Sequence, residues 1–183
     1  NGAGSTSSIN FAENNTSSVT TLTSSDTDAG DTAAYSISGE DVDDFSINAS
    51  TGILTFVITP DHENPTDFGI DNTYIIIVTV TDGGGQTGTS TLTVTVTGVN
   101  DNQPTITSNG EGSTASISVN ENTSAVTTIT STDLDAGDTA TYSLSGTDVG
   151  DFSINASTGV LTFASTPDYD NPTDSDGNNT YIV

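Results

Sequence analysis

The 183-residue chain carries 25 acidic residues, one histidine and no lysine or arginine, for a formal charge of −25. With no Lys or Arg to clamp a phosphate or neutralise a nucleic-acid backbone, DNA and RNA are excluded as partners and an anionic membrane surface is disfavoured. The absence of cysteine removes disulfides, zinc thiolates, iron–sulfur clusters and thiol nucleophiles.

No internal salt bridge is expected, so the carboxylates must be solvated or neutralised by a bound metal ion. The chain is polar through Thr, Ser, Asn and Gly, and only 31% of it is apolar. That composition alone would suit disorder; the periodicity does not.

In chain order, a short strand is expected around 9–11, then strands over 19–23, 34–38, 44–47, 53–59, 74–81 and 89–97. The last of these alternates strictly, Thr89-Ser-Thr-Leu-Thr-Val-Thr-Val-Thr97, which buries one face of a pleated strand. Gly/Asp/Asn turns such as Asp82-Gly-Gly-Gly85 separate the strands, and helix signals are nearly absent. About seven short strands per hundred residues predict an all-β, two-sheet antiparallel sandwich of Greek-key type. Phe45, Ile47, Leu54, Phe56, Tyr74, Ile76, Val78 and Val80 are the expected core. The longest apolar run, Tyr74-Ile-Ile-Ile-Val78, has the length of a strand and not of a membrane span.

The sequence then repeats. Phe45–Phe56 recurs as Phe152–Phe163, and Asp26-Thr-Asp-Ala-Gly-Asp31 as Asp133-Leu-Asp-Ala-Gly-Asp138, each 107 residues on. Even Asn1-Gly-Ala-Gly-Ser-Thr6 has a counterpart in Asn109-Gly-Glu-Gly-Ser-Thr114. A period of this length describes two domains in tandem, over 1–103 with a linker and over 104–183. The second copy stops where Thr180-Tyr-Ile-Val183 aligns with Thr73-Tyr-Ile-Ile76, so its C-terminal strands are missing. With no initiator Met and no signal-peptide pattern, the chain reads as a segment of something longer, its missing strand supplied by continuing chain or by a neighbouring subunit.

The acids fall at turns and strand ends: Glu13, Asp26, Asp28, Asp61, Glu63, Asp82 and Asp101, then Glu121, Asp133, Asp135, Asp168 and Asp170. A D-x-D pair in a turn can aim two carboxylates at one ion, and calcium accepts six to eight oxygen ligands in irregular geometry. In order, Ala12-Glu-Asn14, Asp26-Thr-Asp28, Asp61-His-Glu63, Thr81-Asp82-Gly-Gly84 and Val99-Asn-Asp-Asn-Gln-Pro104 resemble the motifs of the cadherin-like repeat, in the form found in bacterial surface proteins. The resemblance covers essentially the whole chain. It departs from the pattern at Gly98, where an Asp is usual, and at Asp170, where Glu is.

The resemblance implies a three-calcium cluster at the junction of the copies. Glu13, Asp61 and Glu63 would come from the first copy, Val99, Asn100, Asp101 and Asn102 from the linker, and Asp133 and Asp135 from the second copy. Asp26, Asp28 and Asp82 would form an upstream half-site, and Glu121, Asp168 and Asp170 a downstream one. Three divalent ions would cancel six mutually repelling carboxylates; at 4 Å such a pair costs roughly 1 kcal/mol in water and about 4 at an effective dielectric of 20.

Each sharper reading has a plainer one beside it. His62 reads as a solvent-facing spacer, because the second copy has Tyr169 there. Asp41, Asp43 and Asp44 could form a fourth metal site, but the second copy keeps only Asp148 and Asp151, so they read as a solvated turn. The loop of Asp67 and Asp71, with Asp174 and Asp176, could bind a ligand but reads as an ordinary long connection. The N-x-S/T triplets at Asn14, Asn15, Asn48, Asn122, Asn155 and Asn178 are expected in so Asn/Ser/Thr-rich a chain.

The expected function is therefore non-enzymatic: a calcium-rigidified segment of a secreted or surface-displayed fibrous protein, an adhesin stalk or extracellular filament. Its partners are calcium ions, neighbouring repeats of the same or an adjacent chain, and glycans or a cell surface. The alternative is a carbohydrate-binding accessory module of a secreted polysaccharide-active protein, which would need an aromatic platform that Phe68 and Tyr169 scarcely supply. Homophilic adhesion is a third reading, but 1–8 offers no apolar anchor for it.

Overall fold

A computed structural model describes residues 5–28, 31–110 and 112–183. Two compact units divide the chain, Asn1–Asn100 and Asp101–Val183. Among the described residues seven strands build unit 1: β1 (Ser5–Ala12), β2 (Thr20–Thr21), β3 (Ala34–Ser38), β4 (Phe45–Ile47), β5 (Ile53–Phe56), β6 (Thr73–Thr81) and β7 (Thr87–Thr97). One sheet has the order β1-β7-β6-β3 and the other β2-β5-β4. β1 runs parallel to β7 and every other pairing in the unit is antiparallel. The fold is all-β, a Greek-key sandwich, and the described residues contain no α-helix, only single 3-10 turns at Val42–Asp44 and Val149–Asp151.

The alternation along β6 and β7 decides which residues enter the core. Tyr74, Ile76 and Val78 on β6 and Leu92, Val94 and Val96 on β7 point inward, while Thr91, Thr93 and Thr95 lie on the outer face. Phe11, Phe45 and Leu54 complete the buried cluster, with Ile47 and Phe56 packed against it. Phe45, Phe56 and Tyr74 meet at ring-centroid distances of 4.5–5.8 Å, both rings edge-on to Tyr74. Val80 is only half buried. The 53–59 strand stops at Phe56, and Asp44 belongs to the 3-10 turn and not to the following strand.

Unit 2 repeats one of these sheets. β8 (Thr105–Ile106) pairs with β10 (Ser131–Thr132), and β9 (Ala125–Thr128), β11 (Phe152–Ile154) and β12 (Val160–Phe163) form a sheet of order β11-β12-β9, the equivalent of β4-β5-β2. Phe152, Phe163 and Tyr181 reproduce the aromatic cluster. The second sheet is not reproduced: residues 114–120, 138–145 and 180–183 carry no ladder. In unit 1, β7 lies between β1 and β6 and pairs with both. Residues 101–183 contain no counterpart of Thr87–Thr97, the strand that joins β1 to β6 in unit 1.

Two turns recur with the same geometry. Gly52 and Gly159 adopt φ of 70° and 67°, and a Cβ at either would run into the carbonyl of Leu22 or Ile129. The second recurrence concerns aspartates. Asp41 and Asp67, expected in a solvated turn and an ordinary connection, are instead buried, 4% and 2% exposed. The Asp41 carboxylate accepts the N–H groups of Phe68 (2.7 Å) and Ile75 (2.6 Å), and Asp67 those of Asp71 (3.0 Å) and Asn72 (2.9 Å). Asp148 does the same for Ser175 and Ile182, and Asp174 for Asn178 and Asn179. These carboxylates replace ladder hydrogen bonds that the long loop cannot make for itself.

The N–H groups of Ile182 and Ser175 hold the Asp148 carboxyl below its ordinary value of 3.8. A lowered folded value means that Asp148 stabilises unit 2 above about pH 4 and loses that contribution as the pH falls through its folded value. Amide exchange at Ser175 and Ile182 is therefore expected to accelerate as the pH falls below about 4, beyond the intrinsic trend. In Asp148→Asn it should be fast throughout; an unchanged profile would mean that these amides are held by something other than this carboxylate.

Candidate metal centres

The register of the four-stranded sheet sets two groups of acids at opposite ends of unit 1. β1 and β7 run parallel and finish together at Ala12 and Thr97, so Glu13 and Val99 emerge side by side. β6 runs the other way and delivers Asp82 to the far end, about 30 Å distant at roughly 3.4 Å per residue.

At the first end Glu13 is 3% exposed. Its two carboxylate oxygens accept the N–H of His62 (2.7 Å) and of Val99 (2.6 Å), tying the 61–63 turn to the chain that leaves β7. Asp61 accepts the N–H groups of Glu63 (3.0 Å) and Asn64 (3.1 Å) and so shapes that turn. Ligand atoms of Glu13, His62 and Glu63 lie within 4.8 Å of one another, a set that does not include Asp61.

His62 is not a solvent-facing spacer. Its side chain is half-buried, and Nδ1 lies 3.1 Å from Glu63 Oε1, an ion pair whenever the ring is protonated. The exclusion of ion pairs holds for Lys and Arg but not for this histidine. The departure at Gly98 has a matching cause: a Cβ there would lie 3.2 Å from His62 Nδ1, so the ring uses the space that a side chain at 98 would need. Val99 and Asn100 are exposed.

At the far end, ligand atoms of Asp26, Asp31 and Asp82 converge within 4.8 Å. Asp26 accepts the N–H of Asp28 (2.8 Å), and Asp31 accepts the N–H groups of Thr32 and Gly83 (both 2.8 Å). Asp28 is not in the convergent set. Sequence reasoning misses Asp31, although the repeated Asp-Ala-Gly-Asp motif contains it. Asp138 is its counterpart and lines a groove with Asp133.

Unit 2 repeats part of each arrangement. Glu121 accepts the N–H of Tyr169 (3.0 Å) and Asp168 that of Asp170 (3.1 Å), one of the two contacts that Glu13 and Asp61 each make, although Glu121 is exposed. Asp133 accepts the N–H of Asp135 (2.9 Å), as Asp26 does that of Asp28. Asp135 is buried and gathers the N–H groups of Asp101 (3.2 Å) and Asn102 (2.8 Å) and the Asn102 amide (3.1 Å). Burial would raise its pKa, but these donors outweigh it and hold the carboxyl below the ordinary value. Asp133 Oδ2 is buried with no hydrogen-bond partner. A bare carboxylate oxygen withdrawn from water calls for a cation. Apart from one imidazole the donors are hard oxygens, which fit calcium better than zinc or copper.

Residues 7–97 match the family model of the cadherin domain. Residues 7–97 are a cadherin domain. Among solved structures, a human protocadherin-24 EC1-2 fragment matches with TM-score 0.72 and 22% identity over 90% of this chain and 76% of its own. A mouse cadherin-23 EC22-24 fragment matches at 0.64 and 24% over 89% and 52%, and a Drosophila N-cadherin EC1-4 fragment at 0.66 and 19% over 88% and 39%. These structures share the fold, and the chain spans only about half or less of the latter two. No curated protein sequence matches it. Cadherin domains are extracellular adhesion modules, not enzymes, and typically bind Ca2+. Among the described residues no helix is long and apolar enough to cross a membrane.

Proposed function

We propose that this cadherin-like chain is a calcium-braced, non-catalytic segment of a secreted or surface-displayed fibrous protein, of the kind that forms a bacterial adhesin stalk or filament. The observation that carries this reading is the convergence of Asp26, Asp31 and Asp82 in a chain that has no Lys or Arg to neutralise them. The repetition of the same acidic turns in unit 2 supports it.

The chain is read as two repeats joined over 98–103. Glu13, Asp61 and Glu63, the linker groups of Val99, Asn100, Asp101 and Asn102, and Asp133 and Asp135 would hold the ions of the junction. Asp26, Asp28, Asp31 and Asp82 would serve a preceding repeat, and Glu121, Asp168 and Asp170 a following one. Calcium supplies the positive charge that lets these carboxylates approach, so that the linker loses its freedom to bend. His62 can bind such an ion only through nitrogen, a poor calcium donor, so at this end Glu13, Asp61 and Glu63 do the holding.

Small-angle scattering of the full chain tests this. A saturable increase in maximum dimension is expected between about 0.1 and 1 mM calcium, the range of extracellular modules. A magnesium series at matched ionic strength should not reproduce it. If calcium does no more than magnesium, the acidic turns serve solubility and the proposal fails.

A further inference from the structure

The loop that joins β5 to β6 has the same backbone in both units but opposite surface chemistry. In unit 1 Asp67 accepts the N–H groups of Asp71 and Asn72, and Ile70 donates to the Asp67 carbonyl (3.0 Å). In unit 2 Asp174 accepts those of Asn178 and Asn179, and Gly177 donates to the Asp174 carbonyl (3.2 Å). The left-handed positions coincide: φ is 53° at Ile70 and 70° at Gly177, and 64° at Asn72 and 65° at Asn179. On this common frame unit 2 carries Ser175 and Gly177, and unit 1 carries Phe68 and Ile70.

Unit 2 shows that the frame closes with a serine and a glycine, so neither apolar side chain is needed to build it. Both are costly where they stand. Phe68 is 75% and Ile70 72% exposed. A β-branched residue at positive φ is strained, and strain of this kind collects at binding sites. The carboxylate of Asp41 binds the N–H groups of both Phe68 and Ile75, which sets Phe68 beside β6, whose outward-facing Ile75 and Ile77 are also exposed.

The surroundings are acidic. Thr66, two residues before Phe68, donates to Asp44 (2.7 Å), and Asp67 and Asp71 flank the loop tip. The Asp44 carboxyl is raised by burial, against the Thr66 bond that lowers it, and further by the neighbouring charges of Asp41, Asp67 and Asp43. A second copy of this chain, with no Lys or Arg, would bring only further carboxylates against this field.

We propose that Phe68 and Ile70 are the apolar anchors of a docking surface on unit 1 for a different protein, one that presents an apolar pocket rimmed by Lys and Arg. The Asp67 and Asp41 carboxylates pre-organise the loop, so that little ordering is lost on binding. This surface is independent of the calcium reading.

The test uses the full chain and two synthetic amphipathic peptides, one of leucine and lysine and one of leucine and glutamate. Fluorescence anisotropy should show salt-sensitive binding of the lysine peptide and none of the glutamate peptide. Phe68→Ser with Ile70→Gly, the residues unit 2 carries, should weaken the lysine peptide about tenfold or more, as loss of an anchor pair does. The melting temperature of that variant should stay the same or rise, and Phe68→Ser alone serves if the pair does not fold. Equal affinity in wild type and variant would reduce the binding to general electrostatics and overturn the proposal. So would binding of the glutamate peptide, or wild-type self-association in sedimentation that the variant abolishes, since the occupant would then be a second copy.

Discussion

Asp41→Ala is expected to destabilise unit 1 by about 2–6 kcal/mol, the cost of leaving two part-buried donors unmet at roughly 1–3 each. The donors are the N–H groups of Phe68 and Ile75, at 2.7 and 2.6 Å from a carboxylate that is 4% exposed. Relief of the repulsion that Asp41 exerts on Asp44 offsets part of the loss. Asp41→Asn keeps one acceptor oxygen and should fall between the two, while Asp43→Ala, at an exposed neighbour, should stay within about 0.5 kcal/mol of wild type. Urea unfolding resolves these differences. Equal midpoints for Asp41→Ala and Asp43→Ala would mean that the loop holds itself without the carboxylate.

That result would also show where the sequence is hard to read. Strands are legible wherever alternation runs long enough to favour one register, as on β6 and β7, and the near-identity of Phe45–Phe56 and Phe152–Phe163 is enough to set the period. β2 shrinks to Thr20–Thr21 because its length is set by what β5 offers it, which is a tertiary matter. The buried role of Asp41 and Asp67 is not legible, since an aspartate beside glycine and asparagine reads as a solvated turn until the chain is folded around it. The partners of Asp41 are 27 and 34 residues away, and nothing local announces them. Asp31 is within reach of sequence reasoning through the second Asp of Asp-Ala-Gly-Asp, present in both copies. His62 is not, because its place is decided by the empty position at Gly98 across the turn.

Glu13→Ala is the second large effect, and it separates the structural part of the acidic turns from the metal-binding part. Without metal, the variant leaves the N–H groups of His62 and Val99 unmet beneath a side chain that is 3% exposed. On the same reckoning this destabilises unit 1 by about 2–6 kcal/mol. Calcium then adds a second difference. At 10 mM and an affinity of about 10⁻⁴–10⁻³ M, one site held only in the folded state contributes about 1.4–2.7 kcal/mol. Wild type should gain that amount on addition of calcium, and Glu13→Ala should gain little from the ion that its carboxylate helps to hold. Glu13→Gln divides the two roles, because an amide oxygen still accepts one N–H but brings no charge to a cation. It should recover part of the metal-free stability and little of the calcium increment. Calcium increments equal in all three proteins would leave Glu13 as a clamp between the 61–63 turn and the end of β7, and would remove it from the proposed metal set.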